Sequence, residues 1–464
     1  MKYKKFLLRN KWILSILLLS LVLHIFYFKN YAVWWDSAVY IGMGKYIFSF
    51  GEIGFFEASR PLVWPIILGF IWKIGLNPIL IGRVLEILFA LGIIYLTYLI
   101  GKEVFSEKIG LLASLMLALS PTFFFFSTKA LTEIPSIFFA LLGVYMFLKK
   151  RLFLTGLFLG LAFMTRFVQL GAVIIIGLMV LYLLKKKEMK IKNITPIAFG
   201  FIIPVLPFLM FNQIKYNNFL YPFLLQSFMT KYTGWIYNQG FGFYFLNLIK
   251  ENVLIIFALS GLLLIRIKKD YKKSLLAIIV LFYLISFSIV SHKEMRLILI
   301  FLPYLYLVTS YGLTIALDFI LREKKQIVFV LLIGILWLTQ ESLQLFPEQP
   351  LEKINQFDVY LIKEEVKDGI WTSNPLFFTY SDKKAAELIY YPLFNSEKAM
   401  MLRNKLNTAN HILIDNCDLE CPPTDNNCED EKKLLFKDIE TNFNQEYFDV
   451  KNGCEEYIFS KTSS

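Results

Sequence analysis

YAVWWDSAVYIGMGKYIFSFGEIGFFEASRPLVWP, residues 31–65, follows the first apolar run and is the first long break in a chain that is otherwise mostly hydrocarbon. It sets Asp36, Glu57 and Arg60 among Trp34, Trp35, Tyr40, Tyr46, Phe55, Phe56 and Trp64. Ionisable groups in such an aromatic belt mark the headgroup level of a bilayer. Between Asp36 and Phe50 the apolar residues Val39, Met43, Tyr46, Ile47 and Phe50 recur at helical spacing. That pattern predicts a short helix lying in the membrane interface, with Asp36 at its N-terminus and turned away from lipid. The Asp36 carboxylate is then a helix cap, a reacting group, or both.

The rest of the chain supplies the membrane. Its 464 residues are 57% hydrophobic and 17% aromatic, with a mean hydropathy of +0.57. Soluble domains are roughly 45–50% apolar, so the composition indicates an integral membrane protein. A net charge of +12 raises nucleic acid as a partner, but the lysines fall in short clusters between apolar runs and form no aromatic-interleaved stripe, which argues for no nucleic acid. The opening MKYKKFLLRNK and the apolar run 12–28 have the layout of a signal peptide. The run is long, however, and ends in His24, Tyr27, Phe28 and Lys29 instead of small residues, so it is expected to stay as a first span.

Lysine- and arginine-rich short loops stay in the cytoplasm. Here they are residues 1–11, 101–108, 149–151, 185–192, 266–273 and 322–325. Between each pair the chain must leave and return. Expected crossings lie at 12–28, 78–100, 109–126, 134–148, 195–211, 253–265, 274–290, 297–320 and 326–345, with 62–74 too short to span. The interval 152–184 is too long for one span and short for two, yet both its ends are cytoplasmic. Two short helices should therefore meet at the outer side near Arg166, where an arginine is costly in lipid and either snorkels or binds a ligand. The sum is an all-α polytopic membrane domain, residues 1–346, with about eleven crossings plus interfacial helices and a cytoplasmic N-terminus.

Residues 347–464 change character and hold all four cysteines, Cys417, Cys421, Cys428 and Cys454. Their spacing matches no usual zinc pattern, and an even number on an outward segment suggests disulfides, with the pairing open. Strand-like runs at 411–415 and 456–460 and a helix-like run at 352–369 suggest a small extracytoplasmic α/β domain.

In this topology Asp36, Glu57, Arg60, Glu133, Arg166 and the group His292, Lys293, Glu294 and Arg296 all fall on the outer side. Carboxylates and cations gathered at a membrane surface suit a reaction on a lipid phosphate. The cations stabilise the phosphate, and a carboxylate deprotonates or orients an incoming hydroxyl, or holds a divalent metal. The plainer reading of the 292–296 run is a solvated helix cap with internal ion pairs of little worth.

DSAVYIGMGKY from Asp36, RPLVWP from Arg60, TEIP from Thr132 and TR at Thr165 and Arg166 occur in that order. Over most of residues 1–320 the chain resembles the C-type glycosyltransferase (GT-C) superfamily, in its protein O-mannosyltransferase and aminoarabinose-transferase branch. HKEMR at 292–296 is similar to the HKExR motif of lipid-linked mannosyltransferases. The resemblance implies inverting transfer of mannose or a similar hexose or pentose from a polyprenyl-phosphate donor to a lipid, glycan or protein acceptor. It implies a multi-pass cell-membrane protein acting at the extracytoplasmic face. Asp36 maps onto the catalytic base; Ser37 stands where many relatives carry a second acid, which leaves Glu57 or Glu133 to supply it. Arg60, Arg166, His292, Lys293 and Arg296 are candidates for the donor phosphate, with Glu294 orienting Arg296 or Lys293. A divalent cation, Mg or Mn, held by Asp36 and Glu133 is an open expectation. The alternatives are a transporter or flippase of lipid-linked sugars, which would place its charges at mid-membrane in two related halves, and a non-catalytic scaffold.

Overall fold

The computed structural model describes residues 10–27, 33–232, 235–265, 270–320, 334, 369–390, 394–451 and 453–461. Fifteen helices precede the C-terminal region: α1 (Lys11–Tyr27), α2 (Trp35–Phe48), α3 (Val63–Lys73), α4 (Pro78–Val104), α5 (Glu107–Ala118), α6 (Pro121–Phe126), α7 (Glu133–Leu148), α8 (Leu152–Thr165), α9 (Leu170–Lys185), α10 (Ile194–Tyr216), α11 (Tyr221–Tyr232), α12 (Phe243–Glu251), α13 (Phe257–Leu264), α14 (Tyr271–Ile289) and α15 (Leu302–Ile320), counted among the described residues. There follow β1 (Ile370–Thr372), α16 (Leu376–Tyr380), β2 (Ala385–Leu388), α17 (Ser396–Lys405), β3 (His411–Asp415), α18 (Cys428–Asn442), β4 (Phe443–Lys451) and β5 (Cys454–Lys461).

Local chemistry sets several of these boundaries. The Ser106 side chain caps α5 by accepting from the Ile109 N–H, and Asp270 caps α14 by accepting from Lys272 and Lys273. Ser120 caps α6, whose first residue is Pro121. Proline has no N–H to continue a helix, so the single crossing expected over 109–126 is broken into α5 and α6. The pair expected within 152–184 is present: α8 ends at Arg166, which is extended (φ −154°, ψ 118°), and one 3-10 turn leads into α9.

Among the described residues four helices are long and apolar enough to cross a membrane: Pro78–Val104, Phe167–Lys185, Ile191–Tyr216 and Tyr271–Ile289. Five shorter apolar helices of 10–17 residues accompany them. Residues 326–345, where the last crossing was expected, lie outside the described residues except for 334, as do the lysine cluster at 322–325, the domain boundary at 346 and most of the helix-like run at 352–369.

The chain divides into two compact units, each built from separated segments. One comprises residues 1–31, 83–219 and 239–350, and the other 32–82, 220–238 and 351–464. In the first, α8 packs on α10 through glycine. A Cβ at Gly160 would lie 2.7 Å from the Phe201 carbonyl oxygen, so the helices approach to backbone contact.

The second unit carries a five-stranded sheet of order β2-β1-β3-β5-β4. β1 runs parallel to β2 and β3, and β5 pairs antiparallel with β3 and β4. Residues along a strand alternate between faces. Ile412, Ile414 and Phe459 face a core with Leu402 of α17 and Leu435 and Ile439 of α18. Leu413, Ile458 and Ile370 face another with Val39 and Met43 of α2, Phe55, Phe377 and Phe378. The segment 32–82 thus shares a core with the C-terminal sheet. Strands β3 and β5 fall on the runs expected at 411–415 and 456–460. The cysteines pair as Cys417–Cys454 and Cys421–Cys428.

Two expectations for the opening stretch need correction. α2 does not present its apolar stripe to lipid: every residue from Ser37 to Lys45 is buried within the protein. The sheet covers one side, and α3 approaches the other where Gly44 meets Gly69; a Cβ on Gly44 would stand 2.5 Å from the Pro65 carbonyl oxygen and 2.6 Å from the Gly69 nitrogen. Nor is Asp36 the cap. Trp34 holds the N-cap position with no side-chain capping bond, and Asp36 lies inside the first turn.

Candidate active site

In the second unit, Arg60 gathers the acids of the opening stretch. Its guanidinium meets Asp36 Oδ1 at 2.8 Å and Glu57 Oε1 at 3.1 Å, and donates to the Tyr40 hydroxyl at 3.1 Å. Ser59 donates to the same Glu57 oxygen at 2.8 Å. Burial alone would lower the Arg60 pKa, but Glu57 and Asp36 raise it well above its ordinary value, so the cation persists. Asp36, with 15% of its side chain exposed against 6% for Glu57, is the more accessible acid.

The loop carrying these groups is held from the C-terminal side. Gly54, at φ +76°, donates to the Lys383 carbonyl at 2.8 Å and accepts from the Ala385 N–H at 3.0 Å. Its carbonyl and N–H thereby extend the sheet beside β2. Lys45, one face of α2 further on, donates to Thr379 O at 3.1 Å, Ser381 O at 3.0 Å and Asp382 Oδ1 at 3.0 Å. Trp72 of α3 donates to the same Asp382 oxygen at 3.1 Å. Burial pushes the Lys45 ammonium down, against the pull of Asp382. Lys45 and Asp382 were not expected from sequence, because their partnership spans most of the chain.

The first unit holds a second cluster. Glu133, in the first turn of α7, is buried. Arg166 reaches its Oε1 at 2.9 Å and the Thr132 hydroxyl at 3.0 Å, and Arg296 Nε lies 3.6 Å from the same carboxylate oxygen. Arg296 also grips Glu294 with two nitrogens, at 2.7 and 3.0 Å, and His292 Nε2 lies 2.6 Å from Glu294 Oε1. Burial opposes ionisation of Glu294, but the His292 hydrogen bond and the Arg296 charge overcome it and hold the carboxyl at about 2. The backbone at Glu294 is extended, which turns Lys293 the other way, onto the carbonyls of Gln239 (2.7 Å) and Val290 (2.6 Å). The Tyr244 hydroxyl ties the loop to α12 by accepting from the Glu294 N–H at 3.2 Å.

Two buried acids missed in the sequence support this cluster. Glu86 of α4 accepts from the N–H groups of Ala130 and, at 2.6 Å, Leu131; Ala130 has φ +56°, and the turn so held delivers Thr132 and Glu133. Glu251 accepts from the Ser120 hydroxyl at 2.5 Å, the Thr122 N–H at 3.2 Å and the Thr122 hydroxyl. Glu86 did carry a signal, being an acid deep inside an apolar run, which is costly and rarely idle.

Asp36, Glu57 and Arg60 therefore form one network, and Glu133, Arg166, His292, Glu294 and Arg296 another. As for a metal, Asp36 and Glu133, the expected ligands, belong to different units, and each already carries a guanidinium. Among the described residues, the grouping with three ligand atoms within 4.8 Å of one another is Asp415, Cys417 and Cys454, and its cysteines are joined as a disulfide.

Residues 59–211 match the family model described as dolichyl-phosphate-mannose-protein mannosyltransferase. An uncharacterised protein of Aquifex aeolicus is 28% identical over 238 residues, covering 50% of this chain and 55% of that protein; the match thus spans about half the length of the curated relative. The structure of ArnT from Cupriavidus metallidurans bound to undecaprenyl phosphate is similar at a TM-score of 0.68 and 10% identity, over 98% of this chain and 99% of that one. The oligosaccharyltransferase AglB of Archaeoglobus fulgidus, in complex with an inhibitory peptide and a dolichol-phosphate, gives 0.61 and 12%, over 97% and 74%. The arabinofuranosyltransferase AftD from Mycobacteria, in a mutant form, gives 0.58 and 11%, over 98% and 42%. The fold is the one these structures share, and the family match lies within it at residues 59–211.

Proposed function

We propose that this protein is a multi-pass membrane glycosyltransferase that moves a sugar from a polyprenyl-phosphate carrier to a lipid, glycan or protein acceptor, with inversion. The observation that carries the reading is the likeness over 98% of the chain to a structure holding undecaprenyl phosphate, in a chain whose conspicuous charges form two ordered networks. The Asp36 carboxylate takes the proton of the acceptor nucleophile. A bond forms from the acceptor atom to the anomeric carbon of the sugar, the carbon–oxygen bond to phosphate breaks, and the electron pair leaves on the lipid phosphate. Arg166 and Arg296 receive that phosphate: they are the two guanidinium groups gathered at Glu133 and Glu294, and such donors suit a leaving oxyanion. Lys293 and His292 hold the loop that presents Arg296. The sugar is mannose, as the family description suggests, or a similar hexose or pentose. The lysine clusters and the disulfides support an outer-face site, with the N-terminus inside and the C-terminal region outside.

The test is transfer of radiolabelled sugar from a panel of polyprenyl-phosphate donors into membrane acceptors, comparing the unaltered protein with Asp36→Asn at matched expression. Loss of a general base should lower transfer by about 10²–10⁴-fold while donor binding persists. An unchanged rate would move the base to Glu57 or Glu133. Chelation by EDTA is expected to leave transfer intact, since guanidinium groups already neutralise these acids; loss rescued by Mg or Mn would put a metal on them.

A further inference from the structure

Tyr390 follows β2, and its ring packs 4.7 Å from that of Trp35, beside Asp36. The residue is 3% exposed, and its hydroxyl makes no hydrogen bond of acceptable geometry among the described residues. Glu57, 7% exposed, is in the same state at Oε2, while its Oε1 is taken by Ser59 and Arg60. Burial holds the phenol protonated, and the neighbouring Glu57 carboxylate reinforces this. A donor and an acceptor thus stand side by side in a buried place, adjoining the Arg60 network, within reach of each other but without a hydrogen bond of good geometry between them. Buried polar groups left so are rare and call for a partner.

We propose that Glu57 Oε2 and the Tyr390 hydroxyl together bind one alcohol hydroxyl of a sugar-transfer substrate, the carboxylate accepting its proton and the phenol donating to its oxygen. The inference rests on the transferase reading above. A hydroxyl is the complement because it donates and accepts at one atom. A phosphate or carboxylate would be repelled by Glu57, and an ammonium would leave the phenolic proton facing a cation. The hydroxyl belongs either to the acceptor or to the donor sugar. The C-terminal region then contributes to substrate recognition directly, through Tyr390, as well as bracing the loop.

The experiment uses the full chain in lipid nanodiscs, with polyprenyl-phosphate mannose as donor and octyl α-mannoside as acceptor, and compares Tyr390→Phe, Glu57→Gln and the double variant. Losing one such bond should raise one KM about 10-fold or more. A shift in acceptor KM assigns the hydroxyl to the acceptor, and a shift in donor KM assigns it to the donor sugar. The double variant should cost no more than the worse single one, because both groups read the same atom. Unchanged KM values overturn the inference, whether melting is unaltered or falls; a fall would mean that the two groups merely close on each other. If the unaltered protein transfers nothing from any polyprenyl donor, the transferase reading fails and takes this inference with it, so the two failures are read apart.

Discussion

Glu294 accepts from His292 and Arg296 at once, and this sharing sets a pH dependence. A free glutamate titrates near 4.5, whereas the folded carboxyl, despite a burial that would raise it, is held at about 2. A depressed pKa contributes stability that is fully present above the unfolded value and is lost as pH falls through the folded one. Glu294→Gln should therefore be less stable than the unaltered protein at pH 7, by about 3 kcal/mol. The gap in apparent melting temperature should close between about pH 4.5 and 2. A gap that stays constant to pH 2 would remove Glu294 from the stabilising network. At this scale the sequence was partly legible. The ionisable residues of 292–296 could be singled out because they interrupt apolar runs, but the extended backbone that sends Lys293 away from its neighbours could not. Lys45 and Tyr390 were invisible because their partners, Asp382 and Glu57, lie hundreds of residues distant in the chain.

The crossing of α2 and α3 depends on two glycines. A methyl on Gly44 would press on the backbone of Pro65 and Gly69, neither of which can rotate aside. Gly44→Ala should cost about 1–3 kcal/mol by overpacking, and should lower transfer because α2 carries Asp36. Gly177 of α9 has open space around it, so Gly177→Ala serves as the control and should be neutral or slightly stabilising. Equal melting temperatures for the two variants would mean that the helices can part without harm. Helix spacing in the sequence found α2 to within two residues. It misjudged the surroundings, because one apolar stripe was read as a lipid face. Ser37 and Gly44, small residues off the apolar stripe, mark the other side as one that accepts a second packed neighbour. The split between α5 and α6 was likewise readable in Ser120 and Pro121, a capping residue followed by a residue that cannot continue a helix.

Across the whole molecule, fold class was the most legible feature, because hydrocarbon content and the placement of lysines are properties of the entire chain. The organisation into units was not, since packing of residues 32–82 with residues 351–464 leaves no trace in composition. That packing makes the C-terminal disulfides relevant to activity. Cys417–Cys454 joins residues 37 apart, and Cys421–Cys428 joins residues 7 apart. Closing the longer loop should stabilise more, and its removal as Cys417→Ser/Cys454→Ser should cost about 2–4 kcal/mol. Because β3 and β5 contact Val39, Met43 and Phe55, transfer should fall together with sheet stability, and more than in Cys421→Ser/Cys428→Ser. Full transfer in the first pair of substitutions would separate the sheet from the loop. The bridge between Gly54 and Lys384 carries a further consequence, for biogenesis. The segment bearing Asp36 leaves the ribosome well before the strands that brace it. A nascent chain can therefore insert its early helices while Asp36 still lacks its support, which comes only once residues 370–461 have emerged and folded.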